Sequence, residues 1–339
     1  MNSRIKINVR NLYIFLFCFL FLTFKLLGQD IQFTQFYAAP TYLNPAFTGA
    51  NACSRLSTNY RDQWPSLPGT FVSYTLSYDH YVPSLSSGIG FLLTNDKAGS
   101  GNLRTTNYNL LYAYQLPIGR RWVARMGFQG AYAVRGIDFF KLVFGDQIAH
   151  GGTSTSVQPP SLEKVSYFDV SSGLLLYSGK DWFGFAAHHL NRPNQSLLDQ
   201  ESPLPVKYSF HAGTNFKVGD TKREQDQSIS PAINYKAQGK FDQLDIGIYF
   251  NKTPMVWGMW YRGIPLFKAY KSGYANNDAL ALLLGLDLYR LRIGYSYDIT
   301  ISRLVSSTGG AHEVSLSYQF CDPKARKRKK RIVINCPKF

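Results

Sequence analysis

Period-two alternation of apolar and polar residues constrains this chain more than any other feature. Leu291, Ile293, Tyr295, Tyr297, Ile299 and Ile301 alternate with Arg292, Gly294, Ser296, Asp298, Thr300 and Ser302. Val206, Tyr208, Phe210, Ala212, Thr214, Phe216 and Val218 alternate with Lys207, Ser209, His211, Gly213, Asn215 and Lys217. Such a pattern marks strands with two unlike faces. Strong versions recur at 72–78, 108–116, 122–134, 168–176, 244–250, 280–288 and 314–320, and weaker ones at 55–61, 89–93, 183–189, 229–235 and 256–261, which makes 14 strands. A barrel strand crosses a bilayer in about 9–11 residues. Beyond residue 28 no apolar run is long enough for a spanning helix; the best, 279–286, stops at Asp287. The mean hydropathy of −0.18 also excludes a bundle of membrane helices.

The connections carry a second regularity. The short ones at 117–119, 178–181, 251–254 and 289–290 all join an even strand to the next odd one. The long ones at 137–165, 191–205 and 263–277 all join odd to even, and 237–240 is a short exception. Outer-membrane barrels alternate short periplasmic turns with longer outer loops in this way, whereas a soluble β-sandwich predicts no such parity. Lys207, Lys217, Asp245, Asp287, Arg292 and Asp298 would be costly facing lipid, so they are expected to line the lumen. The expected fold is all-β: a transmembrane antiparallel β-barrel over 53–320.

A formal charge of +16 would ordinarily suggest a polyanionic partner, but its distribution argues otherwise. Residues 1–28 hold Arg4, Lys6, Arg10 and Lys25 and no acid. A basic stretch followed by the apolar run 12–24 reads as an export signal cleaved after Gly28, although Leu26 departs from the usual small residue and an uncleaved anchor is the alternative. The segment 321–339 carries +7, concentrated in Lys324, Arg326, Lys327, Arg328, Lys329, Lys330 and Arg331. Such a tail is too charged to pack alone. Barrel topology places it in the periplasm, where it would dock an acidic partner or remain a solvated tail. No nucleic-acid partner is expected of an exported chain. Cys53, Cys321 and Cys336 remain after cleavage. Cys53–Cys321, Cys321–Cys336 and free thiols are all open, and no zinc spacing occurs.

Two stretches carry a family resemblance. After the signal the chain reads Gln32-Phe-Thr-Gln-Phe-Tyr and Asn44-Pro-Ala-Phe-Thr-Gly49. Near its end it reads Ser302-Arg-Leu, Thr308-Gly-Gly-Ala-His-Glu-Val314 and Cys336-Pro-Lys-Phe339, with Asp146-Gln and Tyr167-Phe-Asp169 between. Together these resemble the PorP/SprF family, outer-membrane proteins of Bacteroidetes tied to type IX secretion and gliding motility, over essentially the whole mature chain. The resemblance implies a non-enzymatic barrel that helps secreted adhesins or enzymes reach or stay on the cell surface. Implied partners are a secreted cargo with a type IX C-terminal domain, periplasmic or lipoprotein components of the machinery, and outer-membrane lipid. The motif residues Gln35, Asn44, Pro45, Gly49, Gly310, His312 and Glu313 are expected to be structural. A diffusion channel or hydrophobic-ligand transporter is the alternative function.

No nucleophile elbow, P-loop or dinucleotide fingerprint is present, and no cofactor is expected. His188 and His189 would point to opposite faces of a strand, and His312-Glu313 lacks the second histidine of the zinc-protease motif. Tyr42, Trp64, Tyr81, Trp122, Trp182, Trp257 and Trp260 are expected in aromatic girdles at the membrane interfaces. The loop 137–165 is long enough to fold inward or to contact cargo. The segment 29–52, with Phe33, Phe36, Tyr37, Tyr42 and Phe47, is too apolar for a free tail and would plug the lumen or pack under the rim.

Overall fold

A computed structural model describes residues 30–51, 53–150, 163–198, 200–218, 227–264, 269–271, 274–302 and 308–320. The expected signal 1–28, the cations from Lys324 to Arg331, Cys321, Cys336 and the 151–162 stretch lie outside these residues.

The strands are β1 (Ser54–Gln63), β2 (Phe71–Val82), β3 (Ser87–Ala98), β4 (Leu103–Ile118), β5 (Trp122–Gly136), β6 (Lys164–Tyr177) and β7 (Asp181–His188). They continue as β8 (Lys207–Thr214, resuming at Phe216–Val218), β9 (Gln227–Gln238), β10 (Phe241–Lys252), β11 (Met255–Gly263), β12 (Asn277–Leu288), β13 (Leu291–Thr300) and β14 (Ala311–Phe320). The two parts of β8 keep one register against β9, Gly213 opposite Ala232 and Phe216 opposite Ile229, so they are one strand interrupted at Asn215. Each strand pairs antiparallel with its sequence neighbours, and β14 returns to β1 from Ala311 opposite Gln63 to Phe320 opposite Ser54. The result is a closed 14-stranded antiparallel barrel, with no edge left in the main sheet to pair with another chain.

The connections sort by rim, hereafter the turn end (even to odd) and the loop end (odd to even). The turn end carries 83–86, 119–121, 178–180, 219–226, 253–254 and 289–290, while the loop end carries 64–70, 137–163, 189–206, 264–276 and 301–310. Two loop-end connections, 99–102 and 239–240, are as short as turns, and the turn-end connection 219–226 is longer than the loop-end 64–70. Several strands outrun their apolar alternation. β4 begins at Leu103 rather than near Tyr108, because its polar residues Arg104 to Asn107 continue the ladder with β3 and β5 above the apolar band.

Outward positions carry large exposed apolar side chains, as along Tyr108, Leu110, Tyr112, Tyr114, Leu116 and Ile118 of β4. Inward positions are buried and form the core with a segment that precedes β1. This segment contains a short helix, α1 (Pro40–Leu43), and a 3-10 turn at Pro45–Phe47.

The girdle expectation needs correction. Trp122 and Trp257 share the outward parity of their strands, and Trp64 meets Phe71 edge-on at the loop end. Trp182 and Trp260 instead point inward and are buried. Tyr42 lies inside on α1, and Tyr81 faces the inward Arg125 at 5.9 Å. Tyrosine and phenylalanine supply the aromatic row near the loop end: Tyr60 lies opposite Tyr74, and Tyr108, Tyr132 and Phe168 are successive neighbours across β4, β5 and β6. The amphipathic tyrosine rings suit an interface.

Candidate functional site: the occupied lumen

The segment from Phe33 to Ala50 is almost wholly buried, and three anchors hold it against inward strand residues.

The first anchor is ionic and lies in the loop-end half. The Glu313 carboxylate accepts the backbone N–H groups of Thr34 (2.7 Å) and Gln35 (3.0 Å) and a guanidinium hydrogen of Arg61 (3.2 Å). Thr34 Oγ1 donates to Asp298 (2.7 Å) and accepts from Arg61 (2.7 Å) and Arg262 (2.9 Å). Arg61 and Arg262 both reach Asp298, at 2.7 and 3.1 Å, and Arg262 also bonds Asp245 at 3.0 Å. Lys236 lies 4.0 Å from Asp245. The cluster thus pairs the buried Arg61, Arg262 and Lys236 with the buried Asp245, Asp298 and Glu313, as buried charge requires, and the half-exposed Asp278 lies 3.9 Å from Arg262 at its edge. Gln35 threads beside it, donating to the Glu313 carbonyl (3.0 Å) and Ser296 (3.2 Å) and accepting from Ser315 (2.6 Å).

The second anchor is the Asn44–Gly49 motif, and each residue type has a local reason. Asn44 caps the 3-10 turn, its Oδ1 accepting from the Ala46 N–H at 2.9 Å. Pro45 stands at the first helical position, where a missing N–H costs least. Asn44 Nδ2 donates to the carbonyls of Leu174 (3.0 Å) and Phe185 (3.1 Å), which face each other across β6 and β7. Phe47 stacks on His211 at 5.3 Å. The carbonyls of Ala46 and Thr48 accept from the buried Arg125 guanidinium, the former at 2.9 Å. Gly49 has φ +66, and its N–H donates to Asp79 (2.8 Å), which also pairs with Arg55 (2.9 Å). The wall is cut back to receive this motif. A Cβ on Gly88, Gly127 or Gly173 would lie closer than 3.0 Å to Thr48, to Pro45 and Ala46, or to Asn44 respectively.

The third anchor is aromatic. Phe36 packs edge-on against Trp260 at 4.7 Å, and the Trp182 indole donates to the Tyr37 hydroxyl at 2.9 Å.

The expected motif residues divide between these anchors. Gln35 and Glu313 belong to the first, and Asn44, Pro45 and Gly49 to the second. Gly310, at φ +70, accepts the Trp64 N–H at 2.8 Å and turns the chain into β14. His312 points outward, 2.8 Å from the Tyr295 hydroxyl, away from its neighbour Glu313. Of the charged lumen residues, Lys207, Asp245 and Asp298 are buried, Asp287 and Arg292 pair at 3.3 Å, and Lys217 lies at the exposed end of β8. Arg61, Asp79, Arg125 and Arg262 were not singled out from sequence. Their signal was present, since each holds an inward-parity position of a strand. His189 bonds Asp169 at 2.8 Å, and no cluster suited to a metal ion occurs among the described residues.

Asn44→Ala removes a cap and two carbonyl bonds at once. A loss of about 2–3 kcal/mol in the hold on the segment is expected. Faster protease cleavage between residues 30 and 50, in a barrel that still shows heat-modifiable gel migration, would register it. Unchanged protection would contradict the anchor.

A closed barrel with an apolar exterior, an aromatic row and a core inside its lumen is an outer-membrane β-barrel. The sequence model of the type IX secretion system membrane protein PorP/SprF family matches residues 26–318, and the chain belongs to that family. No curated protein matches the chain. Among solved structures it is similar to the P. putida toluene transporter TodX, at 10% identity and a TM-score of 0.48, covering 82% of this chain and 92% of that one. It is also similar to the CymD monoaromatic hydrocarbon channel, at 12% identity and a TM-score of 0.47 over 84% and 93% of the two chains. The outer membrane protein Omp33 of Acinetobacter baumannii is 8% identical with a TM-score of 0.42, over 80% of this chain and 100% of that one.

Proposed function

We propose that this barrel is a non-enzymatic outer-membrane scaffold supporting secretion or surface anchoring of type IX secreted proteins such as gliding adhesins. The observation that carries the reading is the filled lumen. With residues 33–50 bonded across it at both halves, the surfaces left for large partners are the two rims. At the loop end, the β5–β6 connection exposes Phe140, Val143 and Ile148, at 89%, 72% and 73%. Such a group of exposed apolar side chains suits a protein partner, and here it would meet cargo. At the turn end, β1 begins beside the end of β14. Both termini of the barrel then face the periplasm, and the cations Lys324, Arg326, Lys327, Arg328, Lys329, Lys330 and Arg331 would dock acidic parts of the secretion machinery. Residues 1–28 are a signal removed on export.

Deleting 323–339 is expected to leave heat-modifiable migration intact. Proteins bearing a type IX C-terminal domain should then disappear from the surface-biotinylated fraction of whole cells. Normal display by the truncated barrel would refute the docking role.

A further inference from the structure

Cys53 is disulfide-bonded, and its partner lies outside the described residues. The other cysteines of the chain are Cys18, Cys321 and Cys336. The barrel seam selects among them. β1 and β14 pair without interruption from Gln63 opposite Ala311 to Ser54 opposite Phe320. Extended by one rung, this register would set Cys53 opposite Cys321. Residues directly opposite in an antiparallel pair have Cα atoms about 4.5–5.5 Å apart. A disulfide spans Cα separations of about 4.4–6.8 Å. Face parity agrees as well. Arg55 and Ser57 point inward on β1 and Ser317 and Gln319 inward on β14. A one-residue extension of each strand would carry Cys53 and Cys321 onto that same face. Cys336 could reach Cys53 only by a return of the chain after Phe320, and Cys18 sits in the expected signal.

We propose that Cys53 and Cys321 form a disulfide that closes the barrel covalently where its first and last strands meet. Both thiols are oxidised: two protons and two electrons leave as the S–S bond forms, and a protein or small-molecule disulfide of the cell envelope is reduced to its dithiol. The bond makes one covalent ring through all the strands, so the seam cannot open sideways at the turn end. It also roots residues 322–339 at a fixed point, three residues beyond Ala50, where the lumenal segment leaves the barrel. The pairing is independent of whether that tail docks a partner.

The test uses full-length protein extracted from outer membranes after alkylation of free thiols. Non-reducing digestion and mass spectrometry should find the peptide holding Cys53 linked to that holding Cys321. A link from Cys53 to Cys336 or Cys18, or an alkylated Cys53, overturns the proposal. A gel of the heat-unfolded chain gives an independent readout, because a covalent ring migrates faster than its reduced form. The fast form should vanish completely on reduction and in Cys321→Ser, and persist in Cys336→Ser. Its loss in Cys336→Ser, or its survival in Cys321→Ser, would equally overturn the assignment.

Discussion

Arg61→Ala is expected to release the front of the lumenal segment while leaving the barrel closed. Arg61 touches Thr34, Glu313 and Asp298 together, at 2.7, 3.2 and 2.7 Å. Its removal leaves two buried carboxylates with one fewer cation between them. Breaking a buried pair from one side costs about 3–5 kcal/mol, chiefly through the charge left uncompensated. The strands need not yield, because the seam pairing of β1 is a backbone ladder that an alanine at this position can continue. The cheapest response is for residues 30–37 to withdraw and let water reach the carboxylates. Wild-type protein in a planar bilayer should carry no sustained current, and Arg61→Ala should conduct and be cleaved within residues 30–40. Adding Glu313→Gln removes one of the stranded charges and should restore part of the protection. Full protection of the single variant, with silent bilayers, would show that the ionic anchor does not hold the segment. Sustained current through the wild type would instead favour the channel reading.

Gly173→Val and Gly127→Val should displace the Asn44–Gly49 motif, for a steric rather than an electrostatic reason. At both positions a Cβ would meet the motif at under 3.0 Å, in one case the Asn44 amide and in the other the backbone of Pro45 and Ala46. Overpacking a filled site costs about 1–3 kcal/mol when neighbours can give way. Here they cannot give cheaply. Asn44 would have to abandon the Leu174 and Phe185 carbonyls, and Ala46 its carbonyl bond from Arg125. A cost near the top of that range, about 3 kcal/mol, is expected for each, with protease access to residues 40–50. Gly130→Val supplies the control on the same strand as Gly127. It points outward, where an added Cβ meets nothing within 4 Å, and it should behave as wild type. Equal sensitivity of all three variants would mean that strand propensity, not the fit of the motif, governs the outcome.

Fourteen strands, their order and the alternation of turns and loops were legible because each is a local property. Strand parity follows from a period of two residues, and rim identity follows from counting connections. The same parity separated Lys207, Asp245 and Asp298 from the lipid-facing residues. It failed for tryptophan, and the reason is visible in two strands. In β7 the run Trp182-Phe-Gly-Phe185 is apolar on both faces, and so is Val256-Trp-Gly-Met-Trp260 in β11. Alternation cannot assign a face when both faces are apolar. Phe183, Phe185 and Met259 face outward, while Trp182 and Trp260 turn inward because the lumen holds Tyr37 and Phe36 to receive them. The lumenal segment itself could be read as apolar, but its place could not.

The sequence by itself therefore determined the barrel: strand number, neighbour order, an apolar exterior and a polar set of inward positions. These are set by residue periodicity and turn spacing, which act over a few residues. Only the tertiary structure decided what fills the barrel. Thr34 meets Glu313, Asn44 meets Leu174 and Phe185, and Gly49 meets Asp79 across long stretches of chain. Complementary charge and the room left by Gly127 and Gly173 come together only once β14 has closed on β1, because closure brings those inward faces around a single space.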